Sequence, residues 1–173
     1  MRKTGGIILF RHAMPAPTPE EFRSAMARLP TAVTIVTAKG SLGPAGATAN
    51  AVVSLSLEPP LMLACLDRGS RTLEVVREAG AFGISVLAGD QASLAREFAT
   101  KLPHSEKFRD VSHVEREGIP MIDGAVAWIA CGLRELHRGG DHEIAIGEVL
   151  AVGGEGGPPL VFFGGAYGGL DVS

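Results

Sequence analysis

A mainly β fold is what the sequence predicts: an antiparallel barrel with helical covers. Three observations carry this. About seven segments have β character against about three of helical character. Few strand-helix-strand repeats are present that could build a parallel sheet, so an antiparallel barrel fits better than a doubly wound fold. The 173 residues, 46% apolar, can bury one sizeable core, and no internal repeat or linker divides them. One domain is therefore expected over residues 18–173, behind an irregular arm at 1–17 where Gly5, Gly6, Pro15 and Pro17 break any regular period.

Thr18-Pro19-Glu20-Glu21 spells a helix start, with Thr18 as cap, proline at the first helical position and Glu21 able to reach back. Phe22, Ala25, Met26 and Leu29 follow at helical spacing, so this helix is expected to pack on the core. After Pro30, residues 31–37 alternate and are rich in β-branched side chains, which predicts a strand. A turn with three glycines and a proline runs over 39–46, and β character resumes at Ala47. Another short strand, 61–66, is set off by Pro59-Pro60. Residues 70–79 read as a helix capped by Ser70, with Leu73, Val76 and Ala79 as its apolar stripe. A strand at 82–87 and a helix at 91–99 capped by Asp90 come next. The polar connection 101–118 that follows is of a length that often serves function. Strands at 125–136 and 143–152 are joined by the turn His137-Arg138-Gly139-Gly140-Asp141. A last strand, 160–163, precedes the glycine-rich tail Gly164-Gly165-Ala166-Tyr167-Gly168-Gly169.

Composition removes several classes of function. A net charge of -3 and scattered lysines and arginines provide no basic field, so no nucleic-acid partner is expected. No run approaches the roughly 18 apolar residues of a membrane span, and the apolar stretch 7–10 is too short for a signal-peptide core. Cys65 and Cys131 sit in separate apolar runs without a CxxC pair and read as buried free thiols suited to a reducing compartment. A soluble, cytoplasmic protein is expected. His137 and Asp141 lie near His142, but a glycine turn separates them and no further ligand is close, so no metal is expected. His12, His104 and His113 fall in loops and read as solvated.

Two segments carry chemistry. In Gly46-Ala47-Thr48-Ala49-Asn50-Ala51, small residues and side-chain hydrogen-bonding groups share an otherwise aliphatic strand, which lets a flat ring approach the backbone. A tight strand pair with Thr48 and Asn50 facing water would show the same composition. In Asp67-Arg68-Gly69-Ser70-Arg71-Thr72, hydroxyls, an arginine and free backbone N–H groups meet at a helix start, as a phosphate site requires. Ordinary capping by Ser70 is the alternative. Together the segments would hold a ring and a phosphate of one ligand.

The order Gly-x-Thr-Ala-Asn-Ala, then Ser54-Leu55-Ser56, then Pro59-Pro60, resembles the flavin reductase-like family. The resemblance continues through Phe82-Gly83-Ile84-Ser85-Val86-Leu87, Glu97-Phe98-Ala99, Glu106-Lys107-Phe108, Gly118-Ile119-Pro120-Met121-Ile122, Ala125-Val126-Ala127-Trp128 and Gly140-Asp141-His142, covering roughly residues 20 to 170. It implies an FMN-binding split β-barrel of Greek-key type, a homodimer, and reduction of FMN or FAD by NADH or NADPH, with reduced flavin passed to a separate monooxygenase. By the same resemblance, Thr48, Ala49, Asn50 and Ala51 line the flavin with Ser54 near it. Leu66, Asp67, Ser70 and Thr72 follow the ribityl chain and phosphate, and Phe98 and Lys107 lie near the cofactor. Gly140, Asp141 and His142 match the turn that places a histidine beside the nicotinamide, and Tyr167 lies near that pocket. His142 would position the dihydronicotinamide over the flavin; its alternative is a half-solvated strand opener, and that of Tyr167 a C-terminal anchor. No Gly-x-Gly-x-x-Gly stands between a strand and a helix, so the nucleotide is not held in the Rossmann manner. A flavin-binding electron-transfer or storage protein without reductase turnover is the competing reading.

Overall fold

In the computed structural model, which describes residues 16–170, helix α1 (Pro19–Met26) opens on the capping box its sequence spells. The Glu21 backbone N–H donates to Thr18 Oγ1 at 3.2 Å, and the Thr18 N–H donates to the Glu21 carboxylate at 2.7 Å. Its apolar stripe does not pack on the core as expected. Phe22, Met26 and Leu29 remain 59%, 44% and 54% exposed. The core cluster containing Val33, Phe98 and Leu160 is completed by later elements, and the segment after α1 is tied to the body by the Gly164 N–H donating to Ala27 O. Most of the expected arm, residues 1–15, lies outside the described residues.

The β-branched run splits at Val33 into β1 (Thr31–Ala32) and β2 (Thr34–Gly40), because Val33 bonds out of the run, its N–H to Leu160 O and its carbonyl accepting from Leu87. Strand β3 (Gly43–Ala49) pairs back on β2 through the two residues Ser41 and Leu42. The turn is thus much shorter than 39–46. Pro44 and Gly46 are tolerated within the strand because β3 is an edge, where a missing donor costs little.

The chain continues through β4 (Val52–Leu57), β5 (Pro60–Asp67), α2 (Arg71–Ala79), β6 (Ala81–Val86) and α3 (Ala92–Phe98). Asp90 does not cap α3. Gln91 holds the cap position, and its side chain instead accepts from the Ala88 N–H and donates to Asp123 O. The connection 101–118 is also more structured than expected, holding α4 (His104–Lys107) and β7 (His113–Arg116), which pairs with β8 (Ile119–Ile122). Two long strands, β9 (Ala127–Gly139) and β10 (His142–Gly153), and a terminal hairpin, β11 (Leu160–Phe163) with β12 (Ala166–Gly169), complete the fold. The glycine-rich tail is therefore the turn, Gly164-Gly165, and the second strand of this hairpin.

Seven strands form one antiparallel sheet in the order β3-β2-β6-β9-β10-β5-β4. Strands β3 and β4 are its two edges, yet only Asn50 and Ala51 separate them in sequence. The sheet must curl until its edges meet, and among the described residues no ladder joins β3 to β4. This is a split barrel. Helix α2 covers it, burying Leu73 and Val76 against Val36, Phe82 and Ile84, and its Arg77 reaches Glu143 of β10 at 2.6 Å. No described helix is long and apolar enough to cross a membrane.

The barrel interior sets a strict limit at Gly147. A Cβ there would stand 2.6 Å from the ring of the fully buried Phe82 and 2.7 Å from Cys131 Cβ. Gly147→Ala is expected to lower the unfolding free energy by about 1–3 kcal/mol through overpacking, read as a lower denaturation midpoint at unchanged m-value.

Candidate active site

The turn into α2 builds a cluster of donors. Asp67 Oδ1 accepts from the Gly69 N–H at 2.6 Å, which tightens the turn, and Ser70 Oγ caps the helix by accepting from the Thr72 N–H at 3.1 Å. Thr72 is only 1% exposed, and its hydroxyl has no partner. A cleft of about 480 Å³ opens at this turn, bounded by Ala47 and Thr48 of β3 and by the segment 98–107. Arg71, Lys101 and Lys107 bring positive charge to its walls, against a single acid, Asp67. Such a wall favours an anion at the helix start.

Packing fixes the far wall. The Phe98 ring meets Phe108 edge-on at 5.0 Å and lies so close to β3 that a Cβ on Gly46 would stand 2.7 Å from it. That is why this strand position is glycine. Thr48 donates its hydroxyl proton to Ala95 O at 2.7 Å and so ties α3 to β3. Lys107 is 3% exposed, donates to Phe98 O at 3.0 Å and stands over the Phe98 ring. Burial lowers its ammonium below the usual lysine range; the Glu97 charge opposes this and Arg71 adds to it. His104, expected to be solvated, instead lines the cleft with both ring nitrogens closed off from water and unpartnered. Burial, then the charges of Lys107 and Arg71, holds it below the usual histidine range.

Six of the residues singled out from the sequence meet on the cleft: Thr48, Asp67, Ser70, Thr72, Phe98 and Lys107. Ala49 and Leu66 turn into the core, whereas Asn50, Ala51 and Ser54 are exposed on the strand crossing beyond the cleft wall. Gly140, Asp141 and His142 do not line the cleft; their turn adjoins its residue Asp67, because His142 pairs with Asp67 in the β10–β5 ladder and the Arg68 N–H donates to Asp141 O. His142 Nδ1 lies 2.8 Å from Asp141 Oδ1, and that hydrogen bond, followed by the imidazole's charge, keeps the Asp141 carboxyl below its ordinary value. Tyr167 is elsewhere, stacked at a tilt on Phe162 and covered by the Arg96 guanidinium. Sequence reading passed over Lys101 and His104, whose only signal was a polar stretch that gave no hint of lining a cleft with the start of α2.

Residues 26–171 match the model of the family described as flavin reductase like domain. This chain belongs to that family. It is 36% identical over 161 residues to an NADH-dependent flavin reductase of a Rhodococcus species, covering 91% of this chain and 90% of that protein. It is 39% identical over 148 residues to the reductase component of a 4-nitrophenol 4-monooxygenase/4-nitrocatechol 2-monooxygenase of Rhodococcus opacus, covering 86% and 79% respectively. In three dimensions it superposes on the NADH:FAD oxidoreductase of Streptomyces globisporus, solved with NAD and FAD fragments, with a TM-score of 0.79 and 35% identity over 89% of this chain and 95% of the other. The flavin reductase-like barrel seen here fits a phosphorylated flavin at one end of the cleft. An unpartnered threonine hydroxyl, a capped helix start and three cations form a donor set for phosphate oxygens.

The depressed His104 makes a pH prediction. Its proton is bound more weakly in the folded than in the unfolded chain, where the value is near 6.5. The stability tied to neutral His104 is therefore complete above that value and is lost as the pH falls below it toward the folded-state value. Denaturation midpoints of the wild type should fall over this window, and His104→Gln should show a shallower fall.

Proposed function

We propose that this chain is an NAD(P)H-dependent flavin reductase in which the cleft at the start of α2 holds the flavin phosphate and His142 positions the nicotinamide. One observation carries the reading: the cationic, hydroxyl-lined cleft and the Asp141–His142 turn are locked side by side by the ladder between β10 and β5. The relatives named above are reductases matched over 79–95% of their own length, which supports it.

Ser70, Thr72 and the first N–H groups of α2 would bind the phosphate, with Arg71 and Lys107 balancing its charge. Phe98 offers an aromatic wall, and the exposed Asn50 and Ala51 leave room for a flat ring where β3 crosses to β4. The chemistry the flavin supplies when bound is hydride acceptance at N5 from nicotinamide C4, which needs no protein nucleophile. The protein's part is placement. Asp141 fixes the tilt of the His142 ring by its bond to Nδ1, so Nε2 is left to meet the nicotinamide.

A homodimer completes the reading. Strand β4 is an unpaired edge with Val53 and Leu57 57% and 84% exposed, and on β10 Leu150 and Val152 are 53% and 64% exposed. A second copy of the chain is the proposed occupant of this apolar surface, which adjoins the exposed Asn50, Ala51 and Ser54. Delivery of reduced flavin to a separate monooxygenase is part of the reading, supported by the Rhodococcus opacus relative being the reductase component of a monooxygenase, and a cytoplasmic location goes with it. Cys131, buried with its thiol pushed up to about 12, and Cys65 are unpaired, as a reducing compartment allows.

Loss of the reduced-nicotinamide absorbance on adding FMN or FAD tests the activity directly; flavin bound without oxidation of NADH or NADPH would favour the storage or electron-transfer reading. His142→Ala is expected to lower kcat/KM for NADH by about tenfold or more while leaving flavin affinity unchanged. Leu57→Asp is expected to shift sedimentation from dimer to monomer, and a wild type that sediments as a monomer while turning over would remove the dimer from the reading.

A further inference from the structure

His104 begins α4 and lines the cleft, yet neither of its ring nitrogens has a hydrogen-bond partner or contact with water. A neutral imidazole offers one donor and one acceptor, and leaving both unmet is costly. Thr72, on the wall formed by α2, has an unmet hydroxyl of its own. Two orphaned polar side chains on one cleft point to a shared ligand rather than to two packing faults. The charges acting on the ring are those of Lys107, from its own helix, and Arg71 of α2; Lys101 and Asp67 share the cleft lining, and Glu97 of α3 faces Lys107.

We propose that His104 is a ligand of the flavin's terminal phosphate, reaching it by a change of side-chain rotamer, and so makes the cleft select FMN over riboflavin. This rests on the flavin reductase reading above. Without a ligand, burial and the neighbouring cations favour the neutral ring. A phosphomonoester dianion reverses the sign of its surroundings, so the ring binds a proton more tightly once the dianion is in place. FMN binding then takes up a proton near pH ~6.5, and affinity rises as the pH falls, until the phosphate's own second ionisation near ~6 intervenes. Riboflavin, lacking the phosphate, shows neither effect.

Calorimetric titration of FMN and riboflavin into the full chain, near pH ~6.5 in two buffers of different ionisation enthalpy, reads affinity and proton uptake together. For the wild type, uptake with FMN and none with riboflavin is expected. His104→Ala should weaken FMN by about tenfold with riboflavin unchanged, which also shows that the variant is folded. His104→Gln, which can donate but does not titrate, should recover much of the FMN affinity and none of the proton uptake. An FMN-to-riboflavin affinity ratio unchanged in His104→Ala overturns the proposal. So does an unchanged ratio accompanied by a higher KM for NADPH, which would assign the histidine to a nicotinamide nucleotide's phosphate. A wild type that binds no flavin at all is a distinct result, since it removes the functional reading itself and this assignment with it.

Discussion

The two residues Asn50 and Ala51 constrain the whole molecule. They are all that connects β3 to β4, and these strands are opposite edges of a seven-stranded sheet. From Ala49 to Val52 a fully extended chain spans at most about 11 Å, whereas seven strands laid flat would set their edges about 28 Å apart at normal spacing. The sheet has to wrap. Wrapping brings the end of β5 and the start of α2 within reach of β3, and the cleft forms where they face each other.

Once the sheet has curled, the cleft owes its character to groups that are poorly satisfied. Lys107 gives up water for one carbonyl, that of Phe98, and for the face of a ring; Thr72 and His104 give up water for nothing. Each such burial costs stability in the unliganded chain. An anionic ligand removes several of these costs at once, and the protein gains stability by mass action when it binds. Burial first, then repulsion from neighbouring cations, depresses Lys107 and His104, and in the proposed reading an anionic ligand would relieve both.

Much of this could be read from the residues in order. The capping box at Thr18, the Ser70 cap and the phosphate-like turn at Asp67 to Thr72 rest on contacts within a few residues, so local rules reach them; the strands around Val36 and Ile84 were legible from their β-branched, alternating side chains, although their pairing is long-range. The corrections share one cause, which is contact between residues far apart in sequence. Pro44 and Gly46 looked like a turn because nothing in the sequence says that β3 is an edge or that Phe98 will lie against Gly46. Residues 101–118 looked like a loop because α4 is a single turn whose buried face is supplied by Lys107 rather than by an apolar stripe. The stripe of α1 looked like a core face, and the side chains are apolar as read, but this chain's core is filled without them.

By itself, then, the sequence determined the mainly β antiparallel class, the place of the helix start that faces the cleft, and the family, since short motifs keep their order whatever the fold does with them. Only the tertiary structure decided which of those residues share a cleft. Alternation along a strand assigns a residue to one face or the other, but whether that face meets core, ligand or water depends on what the curled sheet brings opposite it. That is why Ala49 and Leu66 entered the core, Thr48 and Asp67 the cleft, and why His104 became a wall of the site only once 104–107 had packed on β3 across the cleft from the start of α2.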